Sequence, residues 1–219
     1  MSKKIGFDFG FSDTKIAIIS DEGQPQWFKE TNAITRLGDD KVEKILDEGD
    51  SKNIVVYNGS RYLVGKSALQ YPDASVMNIM DYESIKSISP ILAKKYLTVD
   101  LIKEYDKIAF TLSSAFMKYS KDYKEFMAEE LDIPVDKVRL VPQGAGCKIA
   151  IDKIGLDPNN ASLKNSYKDY IILDIGFNTI DVCCVIDGKL MPEDIKGHEH
   201  EGVVKVAEKV VAALKRNMI

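Results

Sequence analysis

A chain of 219 residues with 45% hydrophobic content is long enough to bury one large core or two modest ones. Its charged residues, 29% of the chain, sum to a formal charge of −4, so no global basic field draws it to nucleic acid or to an anionic membrane, and neither contact is expected. No run approaches the ~20 apolar residues of a membrane span, and the N-terminus enters a strand-like run straight after Lys3-Lys4, without an apolar segment of signal-peptide length. Cys147, Cys183 and Cys184 form no even framework and read as reduced, core-sized thiols of a cytoplasmic protein.

In chain order, Lys4 to Phe9, Lys15 to Ser20 and Gln26 to Ile34 read as three strands, with Asp21-Glu22-Gly23 as a hairpin turn. Leu37 to Ser51 is polar and acidic, an exposed loop or a short amphipathic piece. Ile54 to Tyr57 and Arg61 to Val64 flank Asn58-Gly59-Ser60, a strong hairpin signal. From Ser84 to Glu104, Ile85, Ile88, Ile91, Leu92 and Tyr96 recur at helical spacing, and Pro90 is expected to start or break a helix. A buried strand at Lys107 to Leu112, an amphipathic helix at Tyr119 to Leu131 and a strand at Val135 to Val141 make the middle of the chain βαβ-like. Gly144-Ala145-Gly146 opens a helix running through Ile151.

Leu156 to Lys168 is a polar connection, a disordered insertion or a contact loop, with the first the favoured reading. Tyr170 to Val185 is a second strand pair, Asp187-Gly188 turns the chain, and Lys189-Leu190-Met191 returns. His198-Glu199-His200 reads as a solvated loop, since alternate residues on a short turn rarely converge on a metal. Val203 to Leu214 is amphipathic, and Val204, Ala207, Val211 and Leu214 are expected to pack into a core rather than onto a membrane surface.

Two segments carry the chemistry. Asp8-Phe9-Gly10-Phe11-Ser12-Asp13-Thr14-Lys15 and Asp174-Ile175-Gly176-Phe177-Asn178-Thr179-Ile180-Asp181 each follow an apolar strand with Asp-x-Gly, a tight turn and a second apolar strand. A single Asp-x-Gly is ordinary hairpin chemistry. The repetition points to a phosphate clamp: glycine lets backbone amides approach an anion without a Cβ, and a carboxylate beside the turn holds Mg²⁺ or its waters. Asp8 and Asp174 are the metal candidates. Gly10, Phe11, Gly176, Phe177, Asn178 and Thr179 are the phosphate candidates, and Lys15 supplies a point charge to the same oxygens. Asp181, past the bend, is expected to face away or make a structural contact, and Thr14 reads equally as a plain strand residue.

These two motifs resemble the actin-like ATPase superfamily, and Asp8-x-Gly10-Phe11-x-x-Thr14-Lys15 is most similar to the bacterial and archaeal actin-like proteins of the plasmid-segregation (ParM-like) type. Val141-Pro142-Gln143-Gly144-Ala145-Gly146 is similar to the link joining the two halves in that family, where Gln or Glu after proline orients the attacking water. The resemblance therefore implies Gln143 and Asp174 as catalytic residues, although Gln143 reads equally as a cap on the following helix. Tyr57 to Ala68 looks like the small subdomain of the first half.

The implied architecture is an α/β, ribonuclease H-like fold of mixed sheets flanked by helices. Residues 1–150 form the first domain, with a small subdomain at about 36–100; 151–168 form a linker or insertion; 169–219 begin the second domain. No Gly-Gly pair, the family's adenosine cradle, occurs in this sequence, so the expectation is the first half of such a protein plus the start of the second, as a fragment or as a minimal member. The implied function is ATP (or GTP) binding and hydrolysis with Mg²⁺ in a self-assembling filament, with a DNA-bound adaptor as a further partner. A small-molecule kinase and a non-hydrolysing interaction module are the alternatives.

Overall fold

The computed structural model describes residues 3–19, 25–38, 41–42, 45, 51–71, 75–76, 81–154 and 168–217. The expected turn at 21–23, most of the polar stretch at 37–51 and the connection at 156–167 lie outside the described residues. By contacts the chain divides into two compact units, Met1–Thr111 with Ser120–Leu140, and Leu112–Tyr119 with Val141–Ile219.

The first unit is built on a five-stranded sheet in the order β3-β2-β1-β8-β9, made of β1 (Lys3–Phe9), β2 (Asp13–Ile19), β3 (Pro25–Thr31), β8 (Tyr105–Leu112) and β9 (Val138–Pro142). The β1–β2 and β2–β3 pairs are antiparallel, whereas β8 lies parallel to β1. Strict alternation explains β1: Ile5, Phe7 and Phe9 are buried, while Lys4, Gly6 and Asp8 take the other face. Phe7, Phe9 and Phe110 stack with centroids 5.5–6.1 Å apart. Helices α1 (Tyr82–Lys94) and α3 (Ser120–Glu130) add Ile85, Ile88, Leu92, Tyr123 and Met127 to the buried set.

The strand expected at Gln26 to Ile34 is two strands in two sheets. The chain leaves the large sheet at Asn32 and enters β4 (Ala33–Leu37), in a small sheet ordered β5-β6-β4-β7 with β5 (Ile54–Tyr57), β6 (Ser60–Val64) and β7 (Ser75–Val76). Asn58 and Gly59, at φ 47° and 71°, form the expected β5–β6 turn. Ala33, Leu37, Ile45, Leu63 and Ala68 make this sheet's own core.

Pro90 lies inside α1 and neither starts nor ends it. The start is set by Asp81, whose carboxylate accepts from Ser84 N at 2.8 Å while Ser84 Oγ accepts from Asp81 N at 3.0 Å. The burial of Ile85 to Ala93 carries the helix past the one hydrogen bond that proline removes. The break falls later, before Thr98, whose hydroxyl accepts from Leu101 N and caps α2 (Val99–Glu104).

The second unit holds β10 (Tyr170–Ile175), β11 (Thr179–Ile186), β12 (Lys189–Leu190) and β13 (Lys196–Glu199). β10 takes one edge of β11; β12 and β13 share the other. Ile172, Cys183 and Val185 form the core, with Ile151 of α4 (Ala145–Ile154) against them. His198 and Glu199 are strand residues rather than loop, His198 opposite Ile180. Gly197 permits this, since a Cβ there would lie 2.0 Å from Ala115 N. Helix α5 (Val203–Asn217) forms as expected, but of the residues expected to pack, Val204 is half-buried while Ala207 and Val211 are exposed, and the Leu214 side chain lies outside the described ones. Its periodicity gives it an apolar face without burying most of it.

Candidate functional site

Both Asp-x-Gly turns close with the same hydrogen bond. Gly10 N donates to Asp13 O at 3.0 Å, and Gly176 N donates to Thr179 O at 2.9 Å. A Cβ at Gly10 would lie 2.9 Å from Asp13 O, and one at Gly176 3.2 Å from Thr179 O, so each turn is tight enough to favour glycine. The glycine amides therefore close the turns, and the peptides that follow them are the ones whose direction the surrounding fold sets.

The second turn shows how these are aimed. The carbonyls of Gly176, Phe177 and Asn178 accept from Val203 N (3.1 Å), Val204 N (2.8 Å) and Gly202 N (3.3 Å), the first amides of α5. In a trans peptide the C=O of one residue and the N–H of the next point in opposite directions. Tying back three carbonyls turns the N–H groups of Phe177, Asn178 and Thr179 to the opposite side, and the turn extends the positive end of the α5 dipole. Gly202 makes the approach possible, because a Cβ there would lie 2.5 Å from Gly176 O.

At the first turn the backing is Asn32, 0% exposed. Its Nδ2 donates to Gly10 O at 3.0 Å and its backbone N to Ser12 O at 2.8 Å. Asp8 and Lys15 sit opposite each other across β1 and β2 and form an ion pair of 2.9 Å, and the second Asp8 oxygen accepts from Thr111 Oγ1 at 2.7 Å. They stand on the sheet's outer face at a concavity of about 430 Å³ floored by Gly6, Ala17 and Ala109 and flanked by Trp27, which is 80% exposed. Thr14 points to the other face, buried, and donates to Asn32 Oδ1 at 2.8 Å.

Asp174 is half-buried on β10, in register with Asp181 of β11. Asp181 is 1% exposed and makes a structural contact: it accepts from Ser113 Oγ at 3.1 and 3.2 Å, from Ser114 N at 2.5 Å and from Thr179 Oγ1 at 3.3 Å. Gln143 sits between β9 and α4, with its N donating to Leu112 O at 2.9 Å and its carbonyl 3.6 Å from Cys183 Sγ. The next residue, Gly144, has φ +86°, and a Cβ there would meet Cys183 Sγ at 2.7 Å. Burial, and then the charge of Asp181, push the Cys183 thiol up.

Thus Asp8, Gly10, Phe11 and Lys15 come together in the first unit; Asp174, Gly176, Phe177, Asn178, Thr179 and Gln143 belong to the second. Sequence reasoning missed Asn32, Thr111, Ser113 and the α5 amides. Backbone donors carry no sequence signal, and a lone Asn within Glu30-Thr31-Asn32-Ala33 reads as a strand residue.

The sequence matches no family profile and no curated protein. Solved structures do match. ParM from Bacillus thuringiensis with ATP is 17% identical, with a TM-score of 0.51 over 100% of this chain and 66% of that one. AlfA from the B. subtilis plasmid pLS32, in its filament structure, is 16% identical, with a TM-score of 0.54 over 93% of this chain and 74% of that one. The apo psk41 ParM protein is 14% identical, with a TM-score of 0.55 over 98% and 71%. The chain has the actin-like ATPase fold. It spans a little under two thirds of the length of the B. thuringiensis protein.

Proposed function

We propose that this chain is a nucleotide-binding actin-like protein that takes the phosphates of ATP (or GTP) with Mg²⁺ at its two Asp-x-Gly turns. The observation that carries the reading is the shared closure at Gly10 and Gly176, with the carbonyls of each turn tied back. Two turns that share one closure and one tying-back of their carbonyls suit the same kind of ligand group, a phosphate. In this reading Phe11, Phe177, Asn178 and Thr179 contribute amides beside Gly10 and Gly176, and Lys15 contributes charge. Asp8 and Asp174 hold Mg²⁺ or its waters; the metal neutralises the β- and γ-phosphates. Gln143 and Asp174 are the residues proposed for water positioning and hydrolysis.

Residues 1–150, with a small subdomain at about 36–100, and 169–219 are proposed as the first actin-like domain and the opening of the second, with 151–168 between them. AlfA and MamK are described as filaments, which supports self-association here, with plasmid segregation or cytoskeletal positioning in the cytoplasm as its setting and a DNA-bound adaptor as a further partner.

The test is light scattering with parallel phosphate release on the purified chain, comparing Mg²⁺ with ATP, with GTP and without nucleotide, beside Asp174→Ala. A nucleotide-dependent rise followed by phosphate release, both absent from the variant, is the expected result. Nucleotide binding without either signal would leave a non-hydrolysing module, and no binding at all would refute the reading.

A further inference from the structure

We propose that Asn32 is a positioning residue for the first phosphate turn; the inference rests on the nucleotide-binding reading above. Asn32 is fully buried at the point where the chain passes from the large sheet to the small one, and it takes no place in either ladder. Its Nδ2 reaches Gly10 O, its backbone N reaches Ser12 O, and its Oδ1 accepts from Thr14 Oγ1. Thr31 Oγ1 adds a donor to Ser12 O at 3.4 Å.

The amide can sit only one way round, because a carbonyl accepts and never donates: the NH₂ must face Gly10 O, and the Thr14 hydroxyl then holds the oxygen. The β1–β2 hairpin does not require this device to form, since it has its ladder and the Gly10–Asp13 closure. Asn32 adds direction. It fixes the peptide between Gly10 and Phe11 so that the Phe11 N–H points to the side opposite Asn32. The second turn achieves the same end by another means, the amides of α5. Two different backings with one geometric result indicate that the direction of the turn peptides is what both serve.

The test is calorimetric titration of the 219-residue chain with Mg-ATP and with Mg-GTP, alongside thermal unfolding. Asn32→Asp is isosteric but, at pH 8, sets a carboxylate against the Gly10 carbonyl. We expect affinity to fall about tenfold, or ~1.4 kcal/mol, equally for both nucleotides because the turn meets phosphate and not base. Thr14→Val loosens the amide without removing it and should lose a few-fold in affinity, which keeps the test decisive if Asn32→Asp does not fold. Thr35→Val, which deletes a buried hydroxyl bonded to Ala68 O in the small sheet, should leave affinity unchanged.

Lowered melting temperatures with unchanged affinity in the folded variants would make Asn32 merely structural and overturn the inference, leaving the nucleotide reading intact. A wild-type chain that binds neither nucleotide overturns both.

Discussion

Gly65→Ala gives the sharpest test of the packing in the first unit. Gly65 has φ +83° and ψ −154°, a region that side-chain-bearing residues essentially do not occupy, and forcing it costs roughly 1–3 kcal/mol. An added Cβ would also fall 2.1 Å from Glu30 Oε1 and 2.5 Å from its Cδ. A glutamate tip is ordinarily flexible, but this one is held: it pairs with Lys95, accepts from the Tyr96 hydroxyl at 2.7 Å, and meets Lys66 N at 3.3 Å. The Lys95 and Glu30 side chains are only 12% and 15% exposed, so displacing the carboxylate breaks hydrogen bonds to a charged group, worth roughly 1.5–3 kcal/mol. Together these come to about 2.5–6 kcal/mol, or roughly 5–24 °C in melting temperature for a chain of this length. Urea unfolding followed by circular dichroism would measure it. In a Glu30→Ala background the clash is gone, and Gly65→Ala should cost only the backbone share. An equal cost in both backgrounds would refute the clash, and a cost below about 1 kcal/mol in the wild-type background would refute the backbone conformation.

Burial first, and then the hydrogen bond to Glu30, hold the Tyr96 hydroxyl above the usual tyrosine range. A raised folded pKa means stability that is intact below the unfolded value of about 10 and lost as pH rises above it, so alkaline unfolding should be shallower in Tyr96→Phe when melting temperature is followed from pH 8 to 11. Cys147 is exposed whereas Cys183 is buried with a raised thiol pKa, so Ellman's reagent should show a fast phase that Cys147→Ser removes. Gly202→Ala would drive a Cβ against Gly176 O and part α5 from the second turn; the loss of one or two hydrogen bonds, roughly 1–3 kcal/mol, should appear in Mg-ATP titration, and unchanged affinity would dissociate α5 from the site.

Strands β1, β2, β8 and β10 were legible because alternation fixes which face is buried, and the β5–β6 turn because Asn-Gly has little choice of conformation. The β3–β4 break was not legible, since it depends on hydrogen bonds from Asn32 to residues about 20 positions earlier. Pro90 misled because its local penalty is outweighed by the buried face of α1, a tertiary effect. Lys196-Gly197-His198-Glu199 has weak strand character and owes its conformation to pairing with β11. At the candidate site, Asp-x-Gly announced the turns, but what holds each turn in place is backbone amides in one case and one buried side chain in the other.

The two hairpins differ in the residue that faces the aspartate. Asp8 stands opposite Lys15, and its two oxygens already accept from Lys15 Nζ and Thr111 Oγ1, so that pair is near neutral. Asp174 stands opposite Asp181, and like charges directly across an antiparallel pair destabilise unless something compensates. The three donor groups around Asp181 explain how it tolerates burial, but they bring no positive charge. On the nucleotide-binding reading, a divalent ion would sit more favourably against this pair of carboxylates than against the Asp8–Lys15 ion pair. Titrating Mg²⁺ at fixed ATP should show Asp174→Asn losing most of the metal dependence of binding, while Asp8→Asn keeps most of it and binds nucleotide no more weakly, because Lys15 is then released to the phosphates. Equal loss in both variants would mean that the metal is shared evenly and that the cross-strand charge pattern does not decide its place.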